Sequence, residues 1–560
     1  MSLNPQTKYF AEEKIWRGPA KPAWLFNDKV NLGRIVLGVL KRDPEKVIQI
    51  SDDNGVRMTN LETAENAEKI ACGLRRRGCE RGDVVGFVAR NGHNLAPALL
   101  GCFFLEAPTN AMDVFQNEDE LYSIFKITKP KFIFCDNDMV SMIEKIAEKL
   151  PNYPTIVVFG KKMSNYLHIE ELMREGDSAK LLRKLYEETS EGSQSEYQII
   201  VCSSGTTGSP KAVALPYQTL VREHWFDGLE TSPEDCFFSF CPPFWSVFYV
   251  NVLKHLFAGV PRVITTDDFS PETYLKIVEK YNVTHTLVSS IYLNLTLQSP
   301  EMKSTSLLNI KQLLFTGSLT TDDLAKKLMP YIPNADVYIA YGMSEIGNIA
   351  MYKFNPEKPI SVGCLLHGVQ GIVLSDEGKR LGPGQSGELC FKTPKHMFGY
   401  LENPVETENA FTEEGFFRTG DLGFYNEDGF LHIVGRSKDV IKYYMTHVSA
   451  SEIERVIKAH PHVQDAVAVG IRNDKCYQLP AAVVTRKKDA NVTAKELSKL
   501  VEENLPDNHK LRGGIYFVDN LQTTFTGKLK KKEIEKYATK MYNSTESNTF
   551  IINQKETRNI

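Results

Sequence analysis

The chain has 560 residues, of which 42% are hydrophobic and 24% charged, with a formal net charge of −4 and an isoelectric point near 6.4. That balance suits a globular protein with a sizeable core and excludes a disordered or fibrous chain. The lack of a basic excess excludes bulk electrostatic attraction to nucleic acid or anionic membrane.

The first residues, MSLNPQTKYFAEEKIW, carry no apolar stretch of signal-peptide type. The length predicts a large multi-part body or several domains. Helical periodicity covers 61–77. From residue 83 onward, short β-branched runs alternate with longer amphipathic stretches, the pattern of parallel strands joined by helices. Predicted strands are DVVGFVA (83–89), KFIFC (131–135), TIVVFG (155–160), QIIVCSS (198–204), PRVITT (261–266), THTLVSS (284–290), KQLLFTG (311–317) and VYIAYG (337–342). Further helices are predicted over 271–281 and 321–328. The longest apolar run, between Asn94 and Glu106, is too short to span a bilayer.

After residue 361, glycine-rich turns between short alternating segments predict antiparallel hairpins or a small barrel. After Arg436, strand-like and helix-like pieces alternate over a small α+β domain. The expected layout is a 1–436 domain of parallel-sheet α/β subdomains plus a small β-barrel, a small mobile α+β domain at 437–543, and a flexible polar tail at 544–560. Ten cysteines, scattered singly as at Cys72, Cys135, Cys236 and Cys390, fit buried thiols in a reducing compartment better than a disulfide or zinc framework. With no signal-type or spanning stretch, a soluble, intracellular and cytoplasmic protein is expected; a peroxisomal site is the alternative, although Arg558-Asn559-Ile560 does not match an S-K-L type address.

The densest chemical signal is SSGTTGSPK at 203–211, directly after a predicted strand. Small residues let backbone N–H groups and hydroxyls close around phosphate oxygens, and a lysine adds a point charge. An ordinary Ser/Gly/Thr surface loop is the competing reading of that segment alone. It is neither a Walker loop nor a G-x-S-x-G elbow.

SSGTTGSPK resembles the phosphate-binding signature of the adenylate-forming (AMP-binding) superfamily, which includes acyl-CoA synthetases, plant coumarate-CoA ligases, beetle luciferases and peptide-synthetase adenylation domains. Further matches follow in the order that family has: YGMSE (341–345), GELCFK with GYLENP, RTGD (418–421), GRSKD (435–439) and TGK (526–528). The segment GCFFLEAPTNAMD is similar to the acyl-CoA-synthetase and beetle-luciferase branch.

The resemblance implies an ATP-dependent acid–thiol ligase with Mg²⁺ as cofactor and ATP and coenzyme A as co-substrates. It would activate a fatty or other hydrophobic acid as its acyl-adenylate and pass the acyl group to coenzyme A. By resemblance, Ser203, Ser204, Gly205, Thr206, Thr207, Gly208 and Lys211 hold phosphates, and Tyr341, Gly342, Ser344, Asp421 and Arg436 hold the rest of the nucleotide. Tyr341 would stack on adenine, Asp421 and Arg436 would contact the ribose, and Glu345 would hold the metal. Trp245, Gly317 and Ser318 would border the acyl group, with Trp245 also beside the α-phosphate. Lys528 would act in adenylation, Lys442 in thioester formation, and Lys438 as hinge.

Read singly, many of these residues have plainer roles. Tyr341 and Trp245 fit a core, Asp421 a tight turn, and Glu345, Arg436, Lys438 and the lysine run from Lys528 a solvated surface. The motif His460-Pro461-His462 is read as structural, with no metal. Met445 stands where relatives usually carry glycine, so a side chain is expected to narrow the thiol path. Two rivals share the fold: a luciferase-like oxygenase acting through an adenylate, and a nucleotide-binding pseudoenzyme. The partners expected are small molecules, with no nucleic acid.

Overall fold

The computed structural model describes residues 7–20, 30–189, 196–203, 211–220, 231–232, 234–303, 306–316, 322–357, 361–436, 440–443, 446–473, 476–488, 490–523 and 529–556. The chain divides into two compact units, one comprising residues 1–371, 391–417 and 428–431, the other residues 372–390, 418–427 and 432–560.

Two long sheets build the first unit. In one the strand order is Cys364–Leu365, Gly347–Lys353, Asp336–Met343, Gln312–Phe315, His285–Val288, Phe237–Phe238, Arg262–Ile264, Val47–Ser51 and Arg57–Thr59. The run from Asp336–Met343 to Val47–Ser51 is parallel throughout. The other runs Gly399–Tyr400, Lys211–Leu215, Ile199–Ser203, Thr109–Ala111, Val85–Val88, Phe132–Cys135, Thr155–Val158 and Leu167–His168, and is parallel from Ile199–Ser203 onward. Parallel strands have both faces covered. The sequences VGFV and FIFC are therefore continuously apolar, and every residue of both strands is buried.

The helices show how local chemistry sets their limits. The Asn60–Arg76 helix opens on a capping box in which Thr59 accepts from the Glu62 amide while Glu62 reaches back to the Thr59 amide. Pro271–Lys280 opens on Ser270 with proline in its first turn. The apolar run after Asn94 forms the Leu95–Leu105 helix, buried at every position. A Cβ at Gly101 would stand 2.8 Å from the Ala67 carbonyl oxygen, so glycine there permits close approach to the Asn60–Arg76 helix. No helix among the described residues is long and apolar enough to cross a membrane.

The second unit contains a mixed sheet ordered Thr446–Ser449, Val440–Tyr443, Tyr477–Arg486 and Val463–Asn473, with Ile515–Phe517 parallel to Tyr477–Arg486. Two cores serve it. One lies under the Ala450–Lys458 and Ala494–Asn504 helices, and the other takes Ile534 and Ala538 from the Lys531–Glu556 helix.

The glycine-rich segment forms strands Gln370–Leu374, Gly387–Lys392, Phe417–Tyr425 and Leu431–Arg436 in that spatial order. Among the described residues this path is open, so the barrel expected from its turns is not closed. A turn fixes the reversal of two neighbours but not the pairing of first and last strand. All ten cysteines are free thiols, nine of them buried. Burial raises the Cys72 pKa to about 11 and those of Cys79, Cys135, Cys236 and Cys390 to about 12.

Phe134 is fully buried and stacks on Phe87 with centroids 5.1 Å apart. Phe134→Ala is expected to cost about 3–5 kcal/mol, the usual range for emptying an aromatic core site. A lowered urea midpoint for the first unit checks this.

Candidate functional site

The sites in the first unit begin with a hairpin. Ile199–Ser203 and Lys211–Leu215 are antiparallel, and the pairing of Ser203 with Lys211 closes the loop between them. Both ends of the predicted phosphate loop are thus fixed on sheet. Ser204, Gly205, Thr206, Thr207 and Gly208 lie outside the described residues. Lys211 is largely buried. Its ammonium forms a 2.5 Å ion pair with Glu406 and sits 4.6 Å from the centre of the Tyr400 ring.

A second hairpin carries Tyr341, Gly342, Ser344 and Glu345. Asp336–Met343 and Gly347–Lys353 pair antiparallel, with a register shift between Tyr341 and Gly342. A Cβ at Gly342 would lie 2.6 Å from the Gly347 carbonyl oxygen, so this tight crossing requires glycine. Met343 pairs with Gly347, which leaves Ser344, Glu345 and Ile346 as the turn. Tyr341 is half-buried and meets Phe391 edge to face at 6.0 Å.

The turn is pinned from two directions. The Ser344 hydroxyl lies 3.2 Å from that of Ser246, the first residue of the Ser246–Ala258 helix that follows Trp245. On the other side, the Met397 amide donates to the Glu345 carbonyl at 2.6 Å, and the Tyr400 hydroxyl donates to Glu345 Oε1 at 3.2 Å. Burial, then the adjacent Glu345 charge, pushes the Tyr400 pKa well above the usual phenol range, so it remains a donor.

Glu345 is buried at 8% exposure. Its carboxylate is a hard oxygen ligand of the kind Mg²⁺ takes, and the residues present fit that ion. Among the described residues no group of three or more His, Cys, Asp or Glu side chains gathers as a metal cage. A cation held here would complete its shell with ligand oxygens and water.

Trp245 lines a narrow pocket with Ser239, Phe240, Phe269, Leu287 and Tyr292 among its walls. Phe269 and Tyr292 stack at 3.8 Å, giving the cavity an aromatic wall. Gly317 and Ser318, expected beside it, lie outside the described residues.

In the second unit, Asp421 and Arg436 come together. Phe417–Tyr425 alternates buried with half-buried or exposed positions, which turns Asp421 inward to 5% exposure. Arg436, ending Leu431–Arg436, pairs with Asp421 Oδ1 through Nε at 2.9 Å. Asp421 donates its amide to Thr419 Oγ1 at 2.9 Å, and the Thr419 hydroxyl donates to the Leu389 carbonyl at 2.7 Å. The backbone of Lys442 lies on Val440–Tyr443, paired with His447. Lys438, Met445 and Lys528 are outside the described residues.

Three side chains of this region escaped the sequence reading: Ser246, Tyr400 and Glu406. Tyr400 belongs to GYLENP and Glu406 to the helix Pro404–Asn409 just beyond it. That quoted segment was the signal available for these two, since their contacts with Lys211 cross nearly two hundred residues of chain.

The family model for AMP-binding enzymes matches residues 39–401, and that for the AMP-binding enzyme C-terminal domain matches residues 452–528. The chain belongs to the AMP-binding, adenylate-forming enzyme family. It is 27% identical over 495 residues to a luciferin 4-monooxygenase of Photinus pyralis, covering 86% of this chain and 88% of that one. It is also 26% identical over 561 residues to a probable 4-coumarate–CoA ligase 3 of Dictyostelium discoideum, covering 96% and 98%. In fold it is similar to ATP-bound MatB from Rhodopseudomonas palustris, with a TM-score of 0.79 at 22% identity over 92% of this chain and 100% of that one.

Tyr400→Phe removes the hydroxyl partner of a buried carboxylate. A loss of about 1–3 kcal/mol is expected, the ordinary cost of leaving such a group short of a partner. Urea unfolding of the variant beside the parent measures it.

Proposed function

We propose that this chain uses MgATP to activate a carboxylic acid as its acyl-adenylate and then transfers the acyl group to coenzyme A. The observation that carries the reading is the junction of the two hairpins in the first unit. Lys211, at the end of the Ser203–Lys211 closure, and Glu345, in the second hairpin turn, meet the same Tyr400 ring. A phosphate-binding cation and a metal-binding carboxylate at one tyrosine suit a magnesium–nucleotide substrate.

In the first half-reaction an oxygen of the acid attacks the α-phosphorus. The new O–P bond forms as the bond to pyrophosphate breaks. In the second, the coenzyme A thiol gives up its proton and its sulfur attacks the acyl carbon, releasing AMP. Catalysis on this reading is mainly positioning and charge stabilisation.

Residues 203–208 and Lys211 orient the phosphates, and Tyr341, Gly342 and Ser344 bound the nucleotide. Asp421 accepts from the ribose hydroxyls, with Arg436 beside it. Glu345 would hold Mg²⁺, which when bound would neutralise phosphate charge. Trp245, Gly317 and Ser318 border the acid. Residues 437–543 act as the C-terminal domain, turning about Lys438 to present Lys528 for adenylation and Lys442 for thioester formation.

Similarity to the Photinus enzyme over most of its length favours a second reading, in which the adenylate is oxidised. Oxygen uptake with a luciferin and ATP would mark that route. Failure of every acid to support exchange of pyrophosphate into ATP would instead leave a nucleotide-binding pseudoenzyme.

Glu345→Gln is expected to raise the magnesium concentration needed for half-maximal pyrophosphate exchange, because an amide is a poorer ligand for a hard cation. An unchanged magnesium titration would remove Glu345 from the metal site.

Lys528→Ala is expected to slow adenylate formation by about 10²–10³, as when one preorganised donor is lost, while a supplied acyl-adenylate is still converted to thioester. Lys442→Ala should do the reverse, and Met445→Gly should speed thioester formation alone. Single-turnover kinetics of the two half-reactions separate the three variants. Equal losses in both halves for the two lysines would indicate general destabilisation instead.

A further inference from the structure

A second, narrow pocket lies in the first unit, bordered by Phe237, Asn251, Lys254, His255, Leu287 and Gln312 among others. Asn251, Lys254, His255 and Ala258 all border it, and their spacing of three and four residues puts them on one face of the Ser246–Ala258 helix. Leu287 borders both this cavity and the one beside Trp245.

The two follow each other along the same strands. Phe237, His285 and Thr286 face the second cavity, whereas Ser239, Val288 and Ser289, further along, face the first. The second therefore lies nearer the amino ends of these strands, deeper than the first as measured from the carboxyl ends where ligands commonly enter. Asn251 stands six residues along the chain from Trp245, or about 9 Å of helical rise.

The wall of this deeper cavity is unusual for one expected to hold a hydrocarbon tail. Asn251 is 7% exposed and His255 4% exposed. Among the described residues, the Asn251 amide nitrogen and both His255 ring nitrogens have no hydrogen-bond partner. Burying such groups without partners carries a desolvation cost, and native structures rarely leave it unanswered. His255 packs on Phe237 at 3.8 Å, which fixes its ring at the wall. Burial, then the charges of Arg262, Lys254 and His285, holds its pKa well below the usual value, so it presents one donor and one acceptor nitrogen. Lys254 adds amine chemistry to the same face, its pKa lowered by burial to about 8.

We infer that the acid activated by this chain carries an oxygen acceptor, such as a second carboxylate or an ester carbonyl, at the end remote from the reacting carboxylate, and that Asn251 and His255 receive it. This rests on the adenylation reading above. The aromatic wall beside Trp245 takes the apolar body of the acid, and the deeper polar face takes its far end. A buried donor left unpaired by an analogue lacking the acceptor is a strong source of discrimination.

The test is pyrophosphate exchange by the full-length protein with matched acids: octanoate, suberate and suberate monomethyl ester, then decanoate, sebacate and its monomethyl ester. At least one oxygen-terminated acid of either length is expected to exceed its methyl-terminated match in kcat/KM by about tenfold or more, the value of roughly one hydrogen bond. Preference for the diacid alone identifies a charged acceptor, and equal use of diacid and monoester identifies a neutral one. Asn251→Leu should cut that preference by a similar factor while octanoate or decanoate turnover persists.

Equal or better use of the methyl-terminated acids by the parent protein would overturn this inference and leave the adenylation reading standing. No exchange with any acid would overturn both. The selectivity of the parent needs no variant, so poor folding of Asn251→Leu does not obscure the result.

Discussion

The arrangement of the first unit depends on one short antiparallel pairing, that of Lys211–Leu215 with Gly399–Tyr400. It joins a strand from the middle of the chain to one almost two hundred residues later. Val213 is held opposite Tyr400 and Ala214 opposite Gly399. Register in a sheet decides which face each side chain takes. This register places the Tyr400 ring beside the Lys211 ammonium and its hydroxyl on Glu345. The Pro404–Asn409 helix that follows then supplies Glu406 to the same lysine. A slip of one residue would turn Tyr400 to the opposite face and separate all three contacts.

The ion pair between Lys211 and Glu406 also bears on how an anion would enter. Lys211 has 12% side-chain exposure and Glu406 35%. A partly buried cation left alone would be costly, and the carboxylate removes that cost. In the proposed reaction, phosphate oxygens would replace a carboxylate that already satisfies the lysine. Affinity would then reflect the difference between two anions, a trade that favours a multiply charged phosphate over a single carboxylate. The same reasoning distinguishes Lys211 from an ordinary exposed lysine, whose partner would be water.

Much of this architecture is legible in the sequence because buried parallel strands are apolar without interruption. FIFC and VGFV need no alternation to be recognised. The Asn60–Arg76 and Pro271–Lys280 helices are legible through their apolar periodicity, and the structure adds the caps that start them, Thr59 with Glu62 and Ser270 with Pro271. Strand order is another matter, because periodicity reports which face a residue takes and not which strand lies beside it. Whether Gln370–Leu374 and its neighbours close on themselves is hidden from periodicity for the same reason, and among the described residues their path is open. The Ser203–Lys211 and Tyr341–Glu345 segments could be located from their residues, whereas the Tyr400 and Glu406 contacts could not. Such contacts arise from tertiary pairing across distant segments and leave no local spacing to read. The Asn251 amide nitrogen and His255 ring, without partners among the described residues, were equally hidden, since an apolar helix with one polar face reads as an ordinary amphipathic element.

The thiols offer a further consequence. Only the thiolate reacts readily with alkylating reagents, and burial has moved Cys79, Cys135, Cys236 and Cys390 far from ionisation at neutral pH. Cys79, Cys135 and Cys236 lie in the first unit, Cys390 and Cys476 in the second. The chain thus carries its own latent chemical clock in each half. Alkylation of a given cysteine proceeds only as fast as its surroundings open, so peptide-resolved labelling rates would time the breathing of the two units separately, without adding a foreign probe to either.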